Sequence, residues 1–220
     1  MRRGYGQFCP IAKASEVFAT RWTPLLLREL MAGVCTFNDL HRGVPLMSRA
    51  LLAERLRQLE HEGIVEKRVT GSSSHIEYWL TPAGDAFREA IDGLARWGMF
   101  YARDRIDIHD LDPGVFMWMM RRRALLDELP DERVVLRFEF SGVAASKTKL
   151  RLMWLVLSRP EIDICMKDPG HVVDVLISGD IAVFVAIFLG HARWKDKIGK
   201  SIHVEGERGY SLKLPRWFGL

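Results

Sequence analysis

A segment in the first half of the chain combines leucines at helical spacing with charged residues on the side away from them. Leu52, Leu56 and Leu59 recur at the i, i+4, i+7 spacing of a buried helix stripe. At about 100° per residue, the opposite side of that helix presents Ala50, Glu54, Arg57 and His61. An arginine can form two hydrogen bonds with guanine, and a glutamate can accept one from the amino group of cytosine. The pattern predicts contacts with base edges; the alternative is a solvated helix face on which Glu54 pairs with an arginine.

Residues around this segment add groups that suit phosphate contacts. Ser48 precedes the leucine helix as an N-cap, where backbone N–H groups can meet a phosphate. Lys67 and Arg68 lie on a predicted strand before a serine-rich turn, and small hydroxyl residues fit a narrow minor groove. The alternative is a polar hairpin loop of an ordinary surface. The predicted DNA contacts are Thr36, Ser48, Arg49, Ala50, Glu54, Arg55, Arg57, Lys67, Arg68, Ser73, Ser74 and His75.

Helices and one hairpin must position these residues. The predicted helices are 10–20, 22–32, 36–42, 48–62 and 82–101, the third capped by Thr36 and the fourth ended by Gly63. Two strands, 64–70 and 76–81, surround the polar turn 71–74. Successive helices, a two-stranded wing and a final helix are the order of a winged helix-turn-helix, which we expect over residues 1–103.

The second half has a different pattern, in which strands outnumber helices. Residues 104–113 are polar and rich in Asp, which indicates a linker to a unit over 114–220. Apolar and polar residues alternate from Val134 to Phe140, as in a strand with one buried face. The other predicted elements are strands over 150–157, 162–166, 172–178 and 201–205 and helices over 115–129 and 180–189. The basic triplet at 121–123 has three interpretations, which are contact with DNA, binding of an anionic ligand head and exposure to solvent, and we expect the last.

Length and composition fit two globular domains. The 220 residues are 48% hydrophobic and 27% charged, which excludes a disordered tail, a collagen-like rod and a disulfide miniprotein. The formal net charge of +4 permits a nucleic-acid partner without demanding one. Three cysteines, an odd number, favour a reducing compartment. The longest apolar run, 181–189, is far shorter than the roughly 20 residues of a membrane span, so we expect a cytoplasmic protein without membrane contact.

The sequence contains no motif that points to an enzyme or a cofactor. It has no Gly-x-Ser-x-Gly, no His-Glu-x-x-His, no phosphate-binding glycine loop and no Cys-x-x-Cys. His171 and Asp174 alone are too few ligands for a metal site. We therefore expect neither catalysis nor a bound cofactor or metal.

The first half also resembles a known family over residues 8–100. The motifs that carry the resemblance are Cys9-Pro10, Arg21-Trp22-Thr23, the segments 36–40, 52–56, 59–60 and 63–65, and Tyr78 to Gly84. Together and in this order they resemble the HxlR branch of MarR-like transcriptional regulators. The resemblance implies a winged helix-turn-helix that binds double-stranded operator DNA.

A regulator of this kind is expected to act as a homodimer, because one recognition helix reads too few base pairs to find a genomic site. Phe87, Ile91, Leu94 and Gly98 form one stripe of the last helix, with Trp97 beside it. This stripe and the amino-terminal helix are the candidate dimer seam. The alternative is that the stripe packs within one chain.

The resemblance also draws attention to Cys9, because some relatives use the cysteine at this position to sense oxidants or electrophiles. Such reactivity needs a stabilised thiolate, which a helix beginning at Pro10 and the nearby Arg2, Arg3 and Lys13 can provide. The alternative is a small buried hydrophobe under the dimer interface. Cys35 and Cys165 are expected in the core.

The second half is similar to the sterol-carrier-protein lipid-binding fold over residues 130–220. The similarity rests on the strand 175–178, the helix 180–190 that ends in glycine, and the segments 198–199 and 202–206. It implies an apolar cavity between a sheet and helices, whose alternative is an ordinary filled core. The predicted lining is Trp118, Phe138, Phe140, Trp154, Val156, Phe184 and Phe188.

The sequence therefore predicts an α+β protein with an N-terminal winged helix-turn-helix domain and a C-terminal sterol-carrier-like sandwich of a sheet and helices. The predicted function is a dimeric DNA-binding transcriptional regulator modulated by a small hydrophobic ligand. Two alternatives remain. One is a thiol redox or electrophile sensor acting through Cys9, and the other is a lipid-type carrier whose winged domain does not bind DNA.

Overall fold

The chain folds into two compact units that divide between Tyr101 and Ala102 in the computed structural model, which describes residues 4–70 and 75–220. The first unit combines helices with a two-stranded sheet, and the second combines a five-stranded sheet with helices. The α+β prediction is confirmed. In the described residues no helix is both long and apolar enough to cross a membrane.

The first unit has the order of a winged helix-turn-helix. Its elements are α1 (Pro10–Phe18), α2 (Thr23–Met31), α3 (Phe37–Gly43), α4 (Arg49–His61), β1 (Val65–Thr70), β2 (His75–Leu80), α5 (Pro82–Asp85) and α6 (Arg88–Tyr101). The strands β1 and β2 pair antiparallel, with Val65 opposite Leu80. The order of four helices, a two-stranded wing and a further helical segment agrees with the sequence prediction.

One element of this unit differs from the prediction, since the long helix over 82–101 is divided into α5 and α6. Thr81 Oγ1 accepts a hydrogen bond from the backbone N–H of Gly84 at 3.1 Å and so caps α5. A Cβ at Gly84 would collide with the carbonyl oxygen of Ile64, just before β1. This close approach holds the short α5 against the base of the hairpin, and α6 begins as a separate helix.

The helix α4 begins and ends where its sequence predicts. Ser48 Oγ accepts a hydrogen bond from the backbone N–H of Leu51 at 3.2 Å, a cap that contributes about 1 kcal/mol. Gly63, with φ of +69°, ends the helix in a conformation that favours glycine. Leu52, Leu56 and Leu59 are at most 2% exposed. Their burial fixes which side of α4 faces solvent.

The hairpin is joined to the start of α3 as well as to α4. The backbone N–H of Tyr78 donates to the carbonyl oxygen of Cys35 at 2.8 Å, and Thr36 forms a bridge with Glu77. Thr36 is also the N-cap of α3, because its Oγ1 accepts from the backbone N–H of Asp39 at 3.2 Å. One short segment therefore positions both α3 and the hairpin.

The second unit is built on a mixed sheet. Its elements are α7 (Pro113–Arg123), β3 (Val134–Ser141), β4 (Leu152–Ser158), β5 (Glu161–Cys165), β6 (Val175–Asp180), α8 (Ile181–Phe188), α9 (Trp194–Lys197), β7 (Ile202–Gly206), α10 (Arg208–Ser211) and α11 (Leu214–Phe218). The strand order is β5-β4-β3-β6-β7, and β3 and β6 form the parallel pair. The short helices α9 to α11 have no counterpart in the sequence prediction.

The two faces of this sheet have different neighbours. One face carries Leu136, Phe138 and Met153, which pack with residues of α7, α8 and α11 in the main core. Val135, Trp154 and Val156 form a separate cluster on the other face. The alternation along each strand thus separates a helix-covered face from a second face without these helices.

The basic triplet in α7 binds the protein itself, which corrects the expectation that it faces solvent. Arg121 Nε donates to the carbonyl oxygen of Ile162 at 2.7 Å. Arg123 donates to the carbonyl oxygens of Phe188 and Gly219, at 2.7 and 2.6 Å. Arg122 also has an interaction within the chain. These residues tie α7 to β5, α8 and the carboxy-terminal helix.

Candidate nucleic-acid interface

The outer side of α4 is exposed along its length. Ala50, Glu54, Arg57 and His61 are all exposed, as the leucine spacing predicts. A helix that enters a major groove needs such a side, because its base-reading residues must lie opposite its buried stripe. The structure therefore brings the predicted base-reading residues together on one accessible helix face.

The guanidinium of Arg57 is available for a new partner. Its Nε lies 3.4 Å from the carbonyl oxygen of Ala53, which is long for a hydrogen bond, and no carboxylate in the described residues pairs with it. Glu54 accepts a hydrogen bond from Gln58 Nε2 at 3.0 Å, so it does not form the predicted alternative pair with an arginine. Arg57 thus has the chemistry and the freedom to meet a base edge.

Arg49 is held in place at the start of α4 by two residues of α3. Its Nη2 donates to Asn38 Oδ1 at 2.7 Å, and its guanidinium lies 5.0 Å from the ring centroid of Phe37. Ser48, beside it, is exposed. The sequence prediction included Arg49 but missed Asn38 and Phe37 as the residues that orient it. Both residues lie in the segment 36–40, which is one of the motifs that carry the family resemblance.

Arg55 departs from the prediction that it flanks the exposed side. Its side chain is buried, at 9% exposure, and its Nη1 donates to Gln58 Oε1 at 2.8 Å. A buried guanidinium cannot reach a phosphate or a base without leaving its packing. Arg55 therefore belongs to the inner side of α4, with the leucines.

The hairpin that follows α4 carries basic side chains, of which Arg68 is held in place by its neighbours. Arg68 is ion-paired with Glu66, and its guanidinium lies 5.1 Å from the ring centroid of Trp79 on the partner strand. Lys67 is exposed, as is His75 at the start of β2. The predicted contacts Ser73 and Ser74 lie outside the described residues. Of the predicted hairpin cations, Lys67 is therefore the one without a carboxylate partner in the described chain.

An apolar stripe runs along α6 and is only partly covered by its own chain. None of the 14 residues of α6 is buried. Leu94 is 48% and Trp97 51% exposed, and Phe100 is 74% exposed. At its start Phe87 stacks on Phe18 of α1, with ring centroids 5.2 Å apart. The stripe thus meets α1 at one end, Ile91 and Gly98 are half-buried, and the exposed apolar side chains lie toward the end of α6.

The three cysteines are free and half-buried. Burial raises the pKa of the Cys35 thiol, and the charges of Glu77 and Asp39 raise it further. Burial and then Asp163 raise the pKa of Cys165 in the same way. Cys35 and Cys165 are therefore less buried than expected, and their raised pKa values favour the neutral thiol. Cys9 is the N-cap residue of α1.

The residues predicted to line an apolar cavity come together only in part, and they do not enclose a cavity of ligand size. Phe138, Phe140 and Phe184 pack ring against ring, and the space beside them is a cavity of about 10 Å³, room for about one water molecule. Trp154 and Val156 lie on the other face of the sheet. Phe188 is half-buried under Arg123, and Trp118 is fully buried beside Arg121. The filled-core alternative describes this region.

No group of three or more His, Cys, Asp or Glu side chains is arranged to hold a metal ion in residues 4–70 and 75–220.

Comparisons with known proteins match the part of the chain that contains this interface. A family model described as an HxlR-like helix-turn-helix matches residues 17–105. The uncharacterized HTH-type transcriptional regulator YvaP of Bacillus subtilis is 32% identical over 93 residues, which are 41% of this chain and 86% of that protein. The HTH-type transcriptional regulator YodB of Bacillus subtilis is 32% identical over 91 residues, 40% of this chain and 81% of YodB.

Solved structures also match about this share of the chain, among them a structure of YodB. The reduced form of YodB from B. subtilis is 28% identical and covers 44% of this chain and 98% of its own, with a TM-score of 0.39. Each of these matches spans less than half of the present chain.

Proposed function

The chain belongs to the HxlR-like helix-turn-helix family, and we propose that it regulates transcription as a homodimer that reads operator DNA with α4 and the hairpin. The observation that carries this proposal is the exposed side of α4. Ala50, Glu54 and Arg57 face outward there, while the leucine side is buried. Arg49 and Lys67, on either side, supply charges for phosphates.

Discrimination between bases falls to Arg57 and Glu54 in this proposal. Arg57 donates two hydrogen bonds to guanine and Glu54 accepts one from a cytosine amino group, and such pairs discriminate by about 1–3 kcal/mol per base. Arg49, which is held by Asn38, contacts a DNA phosphate and so sets the position of α4 along the duplex. Lys67 adds a contact that depends on salt but not on sequence.

The open stripe of α6 supports dimerisation. None of the 14 residues of α6 is fully buried, although the helix contacts α2, and Leu94, Trp97 and Phe100 are large apolar groups in water. A second copy that covers this stripe, together with α1, removes that surface from water. Two recognition helices then read two half-sites of a palindrome.

The second unit is proposed to sense a small molecule. Its five-stranded sheet with helices on one face is compatible with the sterol-carrier-like identity that the sequence suggested. Its filled core argues against a lipid held between the sheet and the helices. A ligand that prefers one geometry of the dimer shifts operator occupancy by that preference and no more.

A second candidate function is thiol sensing through Cys9. Cys9 is the N-cap of α1, the helix that belongs to the proposed dimer seam and whose last residue, Phe18, stacks on Phe87. A change at the Cys9 sulfur would therefore act through α1 on the spacing of the two recognition helices. The two remaining thiols have raised pKa values, which makes them poor competitors.

Selection from a random-sequence DNA pool, followed by titration of the selected site, tests the proposed function. We expect tight, sequence-selective binding whose affinity falls steeply with salt. A lipid-type carrier with an inert winged domain would show no such selection.

A further inference from the structure

An open groove of about 1210 Å³ lies on the face of the second unit's sheet that the helices leave uncovered. Its floor follows the register of four strands. Leu152 of β4 lies opposite Glu139 of β3, Glu139 opposite Ser178 of β6, and Ser178 opposite His203 of β7. We call this the sheet groove. It is separate from the filled core on the other face.

One wall of the sheet groove carries two cations that have no ion-pair partner. Lys149 and Arg151 come from the connection between β3 and β4, and no carboxylate in the described residues lies within ion-pair distance of either. The two carboxylates of the groove have contacts of their own, although only Glu139 forms an ion pair. Glu139 pairs with Arg137 at 2.5 Å, and Asp180 Oδ1 accepts the backbone N–H of Ala182 at 2.8 Å.

The same groove has an exposed apolar surface. Leu152 is 40% and Met166 64% exposed, although both are large apolar residues. Both residues line the groove, as does Trp154. Apolar area next to uncompensated positive charge suits a molecule that has both an apolar body and an anionic head.

Two buried donors on this face of the sheet, of which Trp154 lines the groove, lack acceptors. Trp154 is 6% exposed, and its Nε1 has no hydrogen-bond partner in the described structure. Arg137, directly opposite Trp154 in the sheet register, has a buried Nε in the same condition. Buried polar groups without partners are rare in folded proteins, and those that occur call for an explanation. Both of these would be satisfied by an acceptor, not by another donor.

We propose that the sheet groove binds an amphipathic organic anion. Lys149 and Arg151 hold its anionic head, and Leu152 and Met166 contact its apolar body. Serine hydroxyls at 141, 178 and 201 supply further donors. An amphipathic anion would be the ligand class of the proposed sensor role. Binding of the anion in the groove does not depend on that role; only an effect of the anion on DNA binding does.

Calorimetry of the full chain with octanoate and with octan-1-ol, in the absence of DNA, tests this binding. We expect octanoate to bind and octan-1-ol to bind at least tenfold more weakly. The Lys149→Ala, Arg151→Ala double variant should lose about tenfold in octanoate affinity. The matched control, Lys195→Ala with Lys213→Ala, removes two cations outside the groove and should change nothing.

The indole N–H signals in a ¹H–¹⁵N spectrum locate the bound probe. The Trp154 signal, assigned by its loss in Trp154→Phe, should shift with octanoate in the parent protein. Equal binding of octan-1-ol, unchanged affinity in the double variant or an unmoved Trp154 signal would each overturn the proposal. Because the experiment contains no DNA, its failure leaves the DNA-binding proposal standing, and the converse also holds.

Discussion

Arg49 Nη2 donates a 2.7 Å hydrogen bond to Asn38 Oδ1, which ties the first turn of α4 to the first turn of α3. The arginine is thereby oriented before any DNA arrives. A charged side chain that is already ordered loses less conformational entropy when it meets a phosphate.

Replacing Asn38 should therefore weaken DNA binding without touching a residue that contacts DNA. For Asn38→Ala we expect a loss of about 0.5–1.5 kcal/mol in binding, the value of one hydrogen bond, and little change in the free energy of unfolding. Fluorescence anisotropy with the selected operator measures the first and urea denaturation the second. Asn38→Asp, which keeps an acceptor, is the control for fold and position. Full affinity in Asn38→Ala would show that Arg49 needs no such support.

Alanine variants of Arg57 and Lys67 should impair DNA binding in different ways. Arg57→Ala removes the proposed base contact, so it should cost about 1–3 kcal/mol on the selected site and relax the preference at one base pair. Lys67→Ala should weaken all sequences alike and reduce the slope of log affinity against log salt by about one. Arg208→Ala, an exposed arginine of the second unit, is the control. Parallel losses in both variants would contradict the assignment of roles.

Arg55 should matter for stability and not for contact with DNA. It is buried on the leucine side of α4 and hydrogen-bonded to Gln58. Arg55→Ala leaves a gap and an unsatisfied partner, and we expect the free energy of unfolding to fall by about 1–3 kcal/mol. Per folded molecule, DNA affinity should be unchanged at low temperature. A variant of normal stability that fails to bind DNA would reverse this assignment.

The stripe on α6 should control the oligomeric state. Trp97→Asp places a charge in the proposed dimer seam and should convert the dimer to a monomer in multi-angle light scattering. Leu212→Asp is the matched control, because Leu212 is a similarly exposed apolar residue, at 73%, in the second unit. A dimer that survives Trp97→Asp would place the interface elsewhere.

Thiol chemistry tests whether a change at Cys9, and not only a small molecule bound to the second unit, can alter DNA binding. In a Cys9→Ser variant, alkylation of the remaining Cys35 and Cys165 should be slow at pH 7 and rise with pH. Their pKa values are raised, so the thiolate fraction at neutral pH is below that of an ordinary thiol. If Cys9 is a sensor, diamide should weaken DNA binding of the parent protein but not of Cys9→Ser. An equal response in both proteins would remove Cys9 from the account.

The sequence predicted the first four helices and the hairpin well, because their signals are local. The capping residues Ser48 and Thr36 and the leucine stripe of α4 set the starts and faces of helices within a few residues of themselves. The charge of Arg55 suggests an exposed side chain, but the residue lies three positions after Leu52 and four before Leu59. Its spacing places it on the buried side, and the structure follows the spacing.

The ligand cavity could not be predicted, because it depends on non-local register. Periodicity indicates that Phe138 and Trp154 each face one side of a strand, but it does not say that the sides differ. In the sheet Phe138 pairs with Met153, and Trp154 pairs with Arg137, so the two aromatic residues point to opposite faces. Nor does an apolar pattern reveal whether the space that it encloses is filled by its own side chains.

The most direct test of the account is selection of DNA from a random pool by the full chain and by its Arg57→Ala variant in parallel. The account predicts that the parent protein enriches a palindrome with half-sites about one helical turn apart. The variant should enrich a site that has lost the preference at one position of each half. Enrichment of no sequence by the parent, or of the same sequence with the same preferences by Arg57→Ala, would contradict reading of DNA by the outer side of α4.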